Sequence, residues 1–219
     1  MRYMTTILIM MLAATMLTAC GESPDQRRGV VVLVDISDEY AREMDKAIRL
    51  SNYLLANLDG GDSMAVAFID NSSYSERNVI ASRTFDHRPS VANGQKRAFQ
   101  EELHDFMARF SVPSYHSDIT GGILLARDYL EEVNAGEKHL FVLSDMREDL
   151  PPDLDRDMEL DMDGIDVHAV NVIRHRPDNR DPGAWRQRIA DWRERVERGG
   201  GSWQMVNEMG RLEESVALR

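Results

Sequence analysis

The chain has 219 residues, with 26 Lys and Arg against 38 Asp and Glu, which leaves a formal net charge of -12. A surface of that sign repels phosphate backbones, so nucleic-acid binding is excluded from the expected functions. The single cysteine, Cys20, excludes an intrachain disulfide and a structural zinc site made of several thiolates.

The first 19 residues predict a secretory signal peptide. Arg2 precedes an apolar stretch from Ile7 to Leu17, and this length with a charged start is typical of a signal rather than a transmembrane anchor. Leu17-Thr18-Ala19-Cys20 resembles the lipobox of bacterial lipoproteins, in which the cysteine is lipidated and becomes the mature N-terminus. The resemblance implies a signal peptide over Met1–Ala19 and a lipid anchor on Cys20, which would hold the protein on the extracytoplasmic side of a bacterial membrane.

Residues 20–28 then form a short polar tether, and residues 29–219 form one domain. About 200 residues are enough for a single hydrophobic core. No later apolar run is long enough to span a bilayer.

Val30–Glu39 is the stretch around which the domain is organised. Five apolar residues, four of them β-branched, run into the acidic turn Asp35-Ile36-Ser37-Asp38-Glu39. A continuous apolar run of this kind predicts a strand buried on both faces, as in a parallel sheet flanked by helices.

The rest of the chain alternates between helical and strand patterns. The first half predicts a helix over Tyr40–Leu58, a buried strand over Met64–Ile69, a polar loop over Asn71–Asn78, an edge strand over Val79–Phe85 and a helix that opens at Pro89. The second half predicts a loop over Ser111–Thr120, a helix from Gly121 to Val133, a buried strand over His139–Ser144, an acidic segment over Met146–Gly164, a buried strand over Ile165–Val172, a helix from Pro182, a strand over Trp203–Val206 and a terminal helix over Leu212–Leu218. This alternation predicts a doubly wound α/β fold, with a mostly parallel central sheet and helices on both faces.

Three polar segments follow or precede these elements at one predicted edge of the sheet. Two buried strands end in aspartate, at Asp35 and Asp145, and Asp118-Ile119-Thr120 precedes the helix that leads into the second of them. Sites in open parallel sheets form at the carboxyl ends of the strands, where the winding direction reverses.

The pattern resembles a von Willebrand factor type A (VWA) domain. Asp35-Ile36-Ser37 matches the start of the Asp-x-Ser-x-Ser motif of that family, Thr120–Ala126 resembles its threonine loop and helix, and Leu143-Ser144-Asp145 resembles its later strand end. The resemblance spans Gly29 to Val206 and implies a metal-ion-dependent adhesion site. It implies Mg²⁺ or Mn²⁺ held by Asp35, Ser37, Thr120 and Asp145.

One position departs from the family motif, because Glu39 stands in place of its second serine. A carboxylate there still coordinates a hard cation but adds charge, so Glu39 is included among the expected ligands. Asp38, Asp118 and His116 are expected at the rim of the site. Carboxylates and hydroxyls are the ligands that Mg²⁺ prefers.

These features predict a non-enzymatic module that binds a protein partner in the cell envelope. Two alternatives stay open. A strand ending in Asp also opens haloacid-dehalogenase-like phosphatases, but Ser37 occupies the place of their general acid. The other alternative is a structural lipoprotein with a decayed metal site, in which Ser37 and Asp38 serve only as helix caps.

Overall fold

A computed structural model describes residues 27–37 and 40–207. In chain order the elements are β1 (Arg28–Asp35), a short 3-10 helix (Tyr40–Glu43), α1 (Met44–Asn57), β2 (Ser63–Ile69), a 3-10 turn (Glu76–Asn78), β3 (Val79–Thr84), α2 (Pro89–Arg109), α3 (Ile119–Glu132), β4 (Glu137–Leu143), β5 (Ile165–Val170), α4 (Arg176–Arg180), α5 (Pro182–Arg198) and β6 (Ser202–Val206).

The strands form one six-stranded sheet in the order β3-β2-β1-β4-β5-β6. All neighbouring pairs are parallel except β2 and β3, which pair antiparallel. The predicted α/β class with a mostly parallel central sheet is therefore confirmed, and β3 lies at an edge as predicted. The chain winds outward in opposite directions from β1 and β4, so the carboxyl ends of these two strands mark the point of reversal.

The core is divided by the sheet, because successive side chains of a strand point to opposite faces. Val30, Val32 and Val34 of β1 belong to one apolar cluster, together with buried residues of α1 and α2. Val31 and Leu33 belong to a second cluster, together with buried residues of α3 and α5. All five side chains are at most 3% exposed, which explains why the strand is apolar without interruption.

The starts of α1 and α3 differ from the predicted helix boundaries. The chain enters α1 through a 3-10 segment that begins at Tyr40. Helix α3 begins at Ile119, within the predicted loop, because the Asp118 carboxylate accepts a hydrogen bond from the Gly121 amide and caps the helix. Helix α4 was not predicted.

Strand β1 already includes Arg28, which the sequence assigned to the tether. Its guanidinium contacts the carboxylates of Asp59 and Asp62 at 2.9 and 2.7 Å. The side chain of Asp62 is 4% exposed, so this ion pair binds the start of β1 to the loop before β2.

Several predictions fall outside the described residues. They are the signal peptide over Met1–Ala19, the lipidation of Cys20, the site residues Asp38 and Glu39, and the terminal helix over Leu212–Leu218. Within the part of the chain that the structure describes, no helix is long and apolar enough to cross a membrane.

A buried histidine in the core predicts a loss of stability in acid. Burial lowers the pKa of His168 to about 4, and the neighbouring His139 adds to this effect. In the unfolded chain the His168 imidazole is protonated near pH 6.5, whereas in the folded chain it is protonated only near pH 4. We therefore expect this histidine to lower the free energy of unfolding by about 2 to 3 kcal/mol between those pH values. Denaturant titrations at a series of pH values measure this loss.

The variant His168→Phe isolates the contribution of that imidazole. The ring of His168 stacks on Phe141 with centroids 4.6 Å apart, so a phenyl ring retains the contact. We expect the pH dependence to flatten in His168→Phe and to persist in the control His104→Phe, whose histidine is exposed. Equal pH profiles in the wild type and His168→Phe would contradict the assignment.

Candidate functional site

Asp35 brings three segments of the chain together at the end of β1. Its side chain is fully buried. One carboxylate oxygen accepts a hydrogen bond from the Ser37 amide at 2.8 Å. The other accepts from the hydroxyls of Ser117 at 2.9 Å and Ser144 at 2.7 Å. The end of β1, the loop before α3 and the end of β4 therefore meet at one carboxylate, at the point where the winding reverses.

Asp145 supplies a second carboxylate beside Asp35. Its Oδ1 accepts from the Arg147 amide at 2.8 Å, and its Oδ2 lies 2.9 Å from Nε2 of His175. Burial raises the pKa of the Asp145 carboxyl above its ordinary value, and the negative charge of Asp35 adds to this shift. The negative charge of Asp35 therefore disfavours the ionised form of Asp145, and a cation bound beside both carboxylates would offset that effect.

The backbone next to Asp145 is strained. Met146 has a φ of 59°, in the left-handed region that a side chain of this size rarely adopts. Its amide donates to Ser144 Oγ, and its carbonyl accepts from Nε1 of Trp192. Strain of this kind costs on the order of 1 to 3 kcal/mol and persists where the surrounding structure imposes it, which is common at functional sites.

Thr120, the predicted hydroxyl ligand, forms hydrogen bonds with Arg195 and Glu148. Its hydroxyl accepts a hydrogen bond from Nη2 of Arg195 at 3.1 Å, and its amide donates to Glu148 at 2.6 Å. Ser117, three residues earlier, is the residue of this loop whose hydroxyl contacts Asp35. The reason is the helix cap: Asp118 starts α3, so Thr120 lies inside the first turn and Ser117 lies before it.

The two predicted rim residues on the described part of the chain have structural partners. Asp118 is fully buried and accepts from the amides of Ser73 and Gly121 and from both Nε and Nη2 of Arg156. His116 pairs through Nδ1 with Asp149 at 2.9 Å. Asp118 therefore joins the loop after β2 and the segment that contains Arg156 to the start of α3. His116 is half-exposed.

Sequence reasoning missed Ser117 as a site residue and His175 as a partner of Asp145. The spacing Asp118-x-x-Gly121 is typical of a helix cap, and it would have indicated that Ser117 lies just before the helix. No local pattern indicated the second, since His175 is thirty positions away from Asp145 in the chain.

The arrangement offers oxygen atoms almost exclusively. Two carboxylates and the hydroxyls of Ser37, Ser117 and Ser144 suit a hard cation such as Mg²⁺. Over residues 27–37 and 40–207, no group of three or more His, Cys, Asp or Glu side chains is arranged to hold a metal ion. A cation held by these described residues would therefore depend on hydroxyl and water ligands.

Comparison with known proteins supports the fold. No protein-family model matches the sequence, and no curated protein matches it. A von Willebrand factor type A protein from Catenulispora acidiphila is similar in structure, with a TM-score of 0.51 and 13% identity, over 86% of this chain and 40% of that one. The chain thus has a VWA-like fold and spans less than half of that protein.

Two further solved structures are similar over nearly their whole length. BatB from Bacteroides thetaiotaomicron has a TM-score of 0.49 and 11% identity, over 88% of this chain and 95% of that one. An aerotolerance-related membrane protein from Bacteroides fragilis has a TM-score of 0.49 and 13% identity, over 87% of this chain and 96% of that one.

Proposed function

We propose that this chain is a lipid-anchored, extracytoplasmic protein-interaction module with a doubly wound VWA-type domain. In this proposal Asp35, Ser37, Ser117 and Asp145 hold Mg²⁺ or Mn²⁺, and Glu39 completes the set. The observation that carries the proposal is the meeting of Asp35 with Ser117 and Ser144, beside Asp145, at the switch point of the sheet. The anchor is inferred from the lipobox-like sequence that ends at Cys20.

The hydrogen-bond directions favour Ser117 over Thr120 as a ligand. A hydroxyl that donates its proton to a carboxylate leaves its lone pairs for another partner. Ser117 and Ser144 both donate to Asp35, but Ser144 Oγ also accepts from the Met146 amide. Ser117 is therefore better placed to turn lone pairs toward a cation, whereas the Thr120 oxygen already faces a guanidinium.

A cation bound here would offer an open coordination position to an acidic side chain of a partner protein. Because Mg²⁺ takes about six oxygen ligands and keeps several waters, a position that the protein leaves to water is open to an outside carboxylate. The residues themselves position the ion and carry no chemical step, so the proposal describes a binding protein and not an enzyme.

A matched pair of variants tests the ligand set. We expect Ser117→Ala to weaken Mg²⁺ and Mn²⁺ binding by about tenfold or more, because it removes a direct oxygen ligand and frees one acceptor position of Asp35. Thr120→Ala should leave binding within about twofold, since its hydroxyl contacts Arg195 instead. Isothermal titration calorimetry of the full chain measures both.

The result that contradicts this ligand set is the reverse order of effects, or no binding of either ion to the wild type. The first outcome would return Thr120 to the site. The second would leave the structural-lipoprotein alternative, in which the fold docks without a cation.

Partner binding is tested by crosslinking in native membranes with and without a chelator. The proposal expects a crosslinked partner that is lost with the chelator and in Asp35→Ala. Capture that is unaffected by either change would favour the structural lipoprotein. The phosphatase alternative is not favoured, because Ser37 holds the position of the general acid, and we expect no turnover of a phosphate ester.

A further inference from the structure

The segment that follows β5 reaches the candidate site through His175. Nε2 of His175 lies 2.9 Å from Oδ2 of Asp145, and the backbone at His175 is extended, with a φ of -90° and a ψ of 173°. Adjacent side chains of an extended backbone point in opposite directions. Arg174 and Arg176, on either side of His175, are exposed. A histidine that contacts the site therefore lies between two arginines that face solvent.

The exposed arginines of this segment form a group. Arg176 and Arg180 are the first and last residues of α4, and residues four apart share one face of a helix. Cζ of Arg174 lies 4.0 Å from the ring centroid of the buried Trp185, and this cation–π contact leaves the N–H donors of the guanidinium for other partners. Among the described residues, none forms an ion pair with Arg174, Arg176 or Arg180. Three guanidinium groups are therefore available to carboxylates from outside.

The two aspartates of the same segment are already engaged. Asp178 is 3% exposed, and each of its oxygens accepts a hydrogen bond from Arg188 at 3.0 Å. Nη2 of Arg147 lies 3.3 Å from the same carboxylate. The carboxylate of Asp181 accepts from two backbone amides in the first turn of α5. Asp178 is thus neutralised by arginines other than the three exposed ones, and Asp181 serves as a helix cap.

The charge of the segment is opposite to that of the chain. Residues 174–188 contain five arginines and two aspartates, a formal charge of +3, whereas the whole chain carries -12. The acidic residues near the candidate site lie on other segments, where Asp118 pairs with Arg156 and Asp149 bonds to the loop before α3. A carboxylate is therefore attracted to the segment after β5 and repelled by most of the remaining surface.

We propose that Arg174, Arg176 and Arg180 form an arginine surface that binds a second carboxylate of the partner. The occupant is an acidic protein segment: one carboxylate binds the cation, and another, within a few residues of it, pairs with the arginine surface. Arginine suits this role because its planar fork matches a carboxylate. The inference rests on the proposed function, since the cation fixes the first carboxylate. It is supported by the charge of the segment and by the contact of His175 with Asp145, which places the arginines beside a proposed ligand.

Two short peptides test the arginine surface on the full chain. The acidic probe is acetyl-Gly-Asp-Glu-Glu-Gly-amide, and its counterpart has Gln at both Glu positions. In saturating Mg²⁺ and at low ionic strength, we expect calorimetry to show that the acidic peptide binds about three to ten times more tightly than the Gln peptide. Without an arginine surface the net charge of -12 would favour the Gln peptide, so the sign of the preference is itself informative.

Matched double variants locate the preference. Arg174→Gln combined with Arg176→Gln should abolish it and leave the affinities for the Gln peptide and for Mg²⁺ within about twofold. The control combines Arg97→Gln with Arg193→Gln, which removes two exposed arginines from α2 and from the later part of α5. Its overall charge change is the same, and it should keep the preference for the acidic peptide.

The outcomes separate this surface from the cation site. If the Gln peptide binds only with Mg²⁺ but the acidic peptide has no advantage, or if the control variant loses the advantage equally, the arginine surface is wrong and the cation site stands. If the acidic peptide keeps its affinity in a chelator and loses it in the Arg174 and Arg176 variant, the arginine surface stands and the proposed cation-dependent function is wrong. If neither peptide binds under either condition, both are wrong.

Discussion

Replacing Asp35 with Asn is expected to weaken Mg²⁺ binding by about 100-fold or more, because even outer partners of metal ligands contribute tenfold to 100-fold. The same change should leave the metal-free protein as stable as the wild type, or more stable. Weaker binding without a loss of metal-free stability is the combination expected of a cation ligand.

The stability side of this prediction follows from the contacts of Asp35. An Asn carbonyl can still accept from the Ser37 amide, and its amide group can donate to the hydroxyls of Ser117 and Ser144, which reorient. The repulsion between Asp35 and Asp145 disappears, so the pKa of Asp145 should fall toward its ordinary value.

Calorimetry with Mg²⁺ and denaturant titration without metal measure the two effects. The matched control is Asp86→Asn, since Asp86 pairs with Arg88 on the surface and is remote from the site. We expect the control to bind Mg²⁺ as the wild type does. Unchanged binding heat in Asp35→Asn would eliminate the cation site.

The second large effect is expected at the buried ion pair between Arg156 and Asp118. Asp118 is fully buried, and both Nε and Nη2 of Arg156 donate to its carboxylate, at 2.9 and 2.8 Å. Removing one member of such a pair leaves an uncompensated buried charge. We expect Arg156→Met to lower the free energy of unfolding by about 3 to 5 kcal/mol, near the lower end because two backbone amides still hold the carboxylate.

The double variant Asp118→Asn with Arg156→Met separates this charge effect from a loss of packing. Asn is also a favourable helix cap, so the double variant should recover most of the stability that Arg156→Met loses. The exposed ion pair between Arg88 and Asp86 supplies the control, and Arg88→Met should change the melting temperature little. A loss in the double variant as large as in Arg156→Met would mean that the arginine acts through its packing alone.

Much of the fold could be predicted because its strands are apolar without interruption. The apolar residues of β1 and β4 are almost inaccessible to solvent, and in the helix that was predicted from Pro182 the buried side chains are those of Trp185, Ile189, Trp192 and Val196. The positions of Asp35 and Asp145 were predicted for the same reason, since Asp35 ends β1 and Asp145 comes two residues after the end of β4.

The sequence alone determined the α/β class, the edge position of β3 and the two aspartates at the point where the winding reverses. Uninterrupted apolar runs indicate strands that are buried on both faces, and the carboxyl ends of neighbouring parallel strands lie at one edge of the sheet. Only the tertiary structure decided which hydroxyl meets Asp35. Ser117 and Thr120 are three residues apart, and the direction of each depends on Asp118, Arg156 and Arg195, whose contacts join distant parts of the chain. Contacts of that kind leave no periodic pattern in the sequence, because they depend on how loops from separate strands pack together.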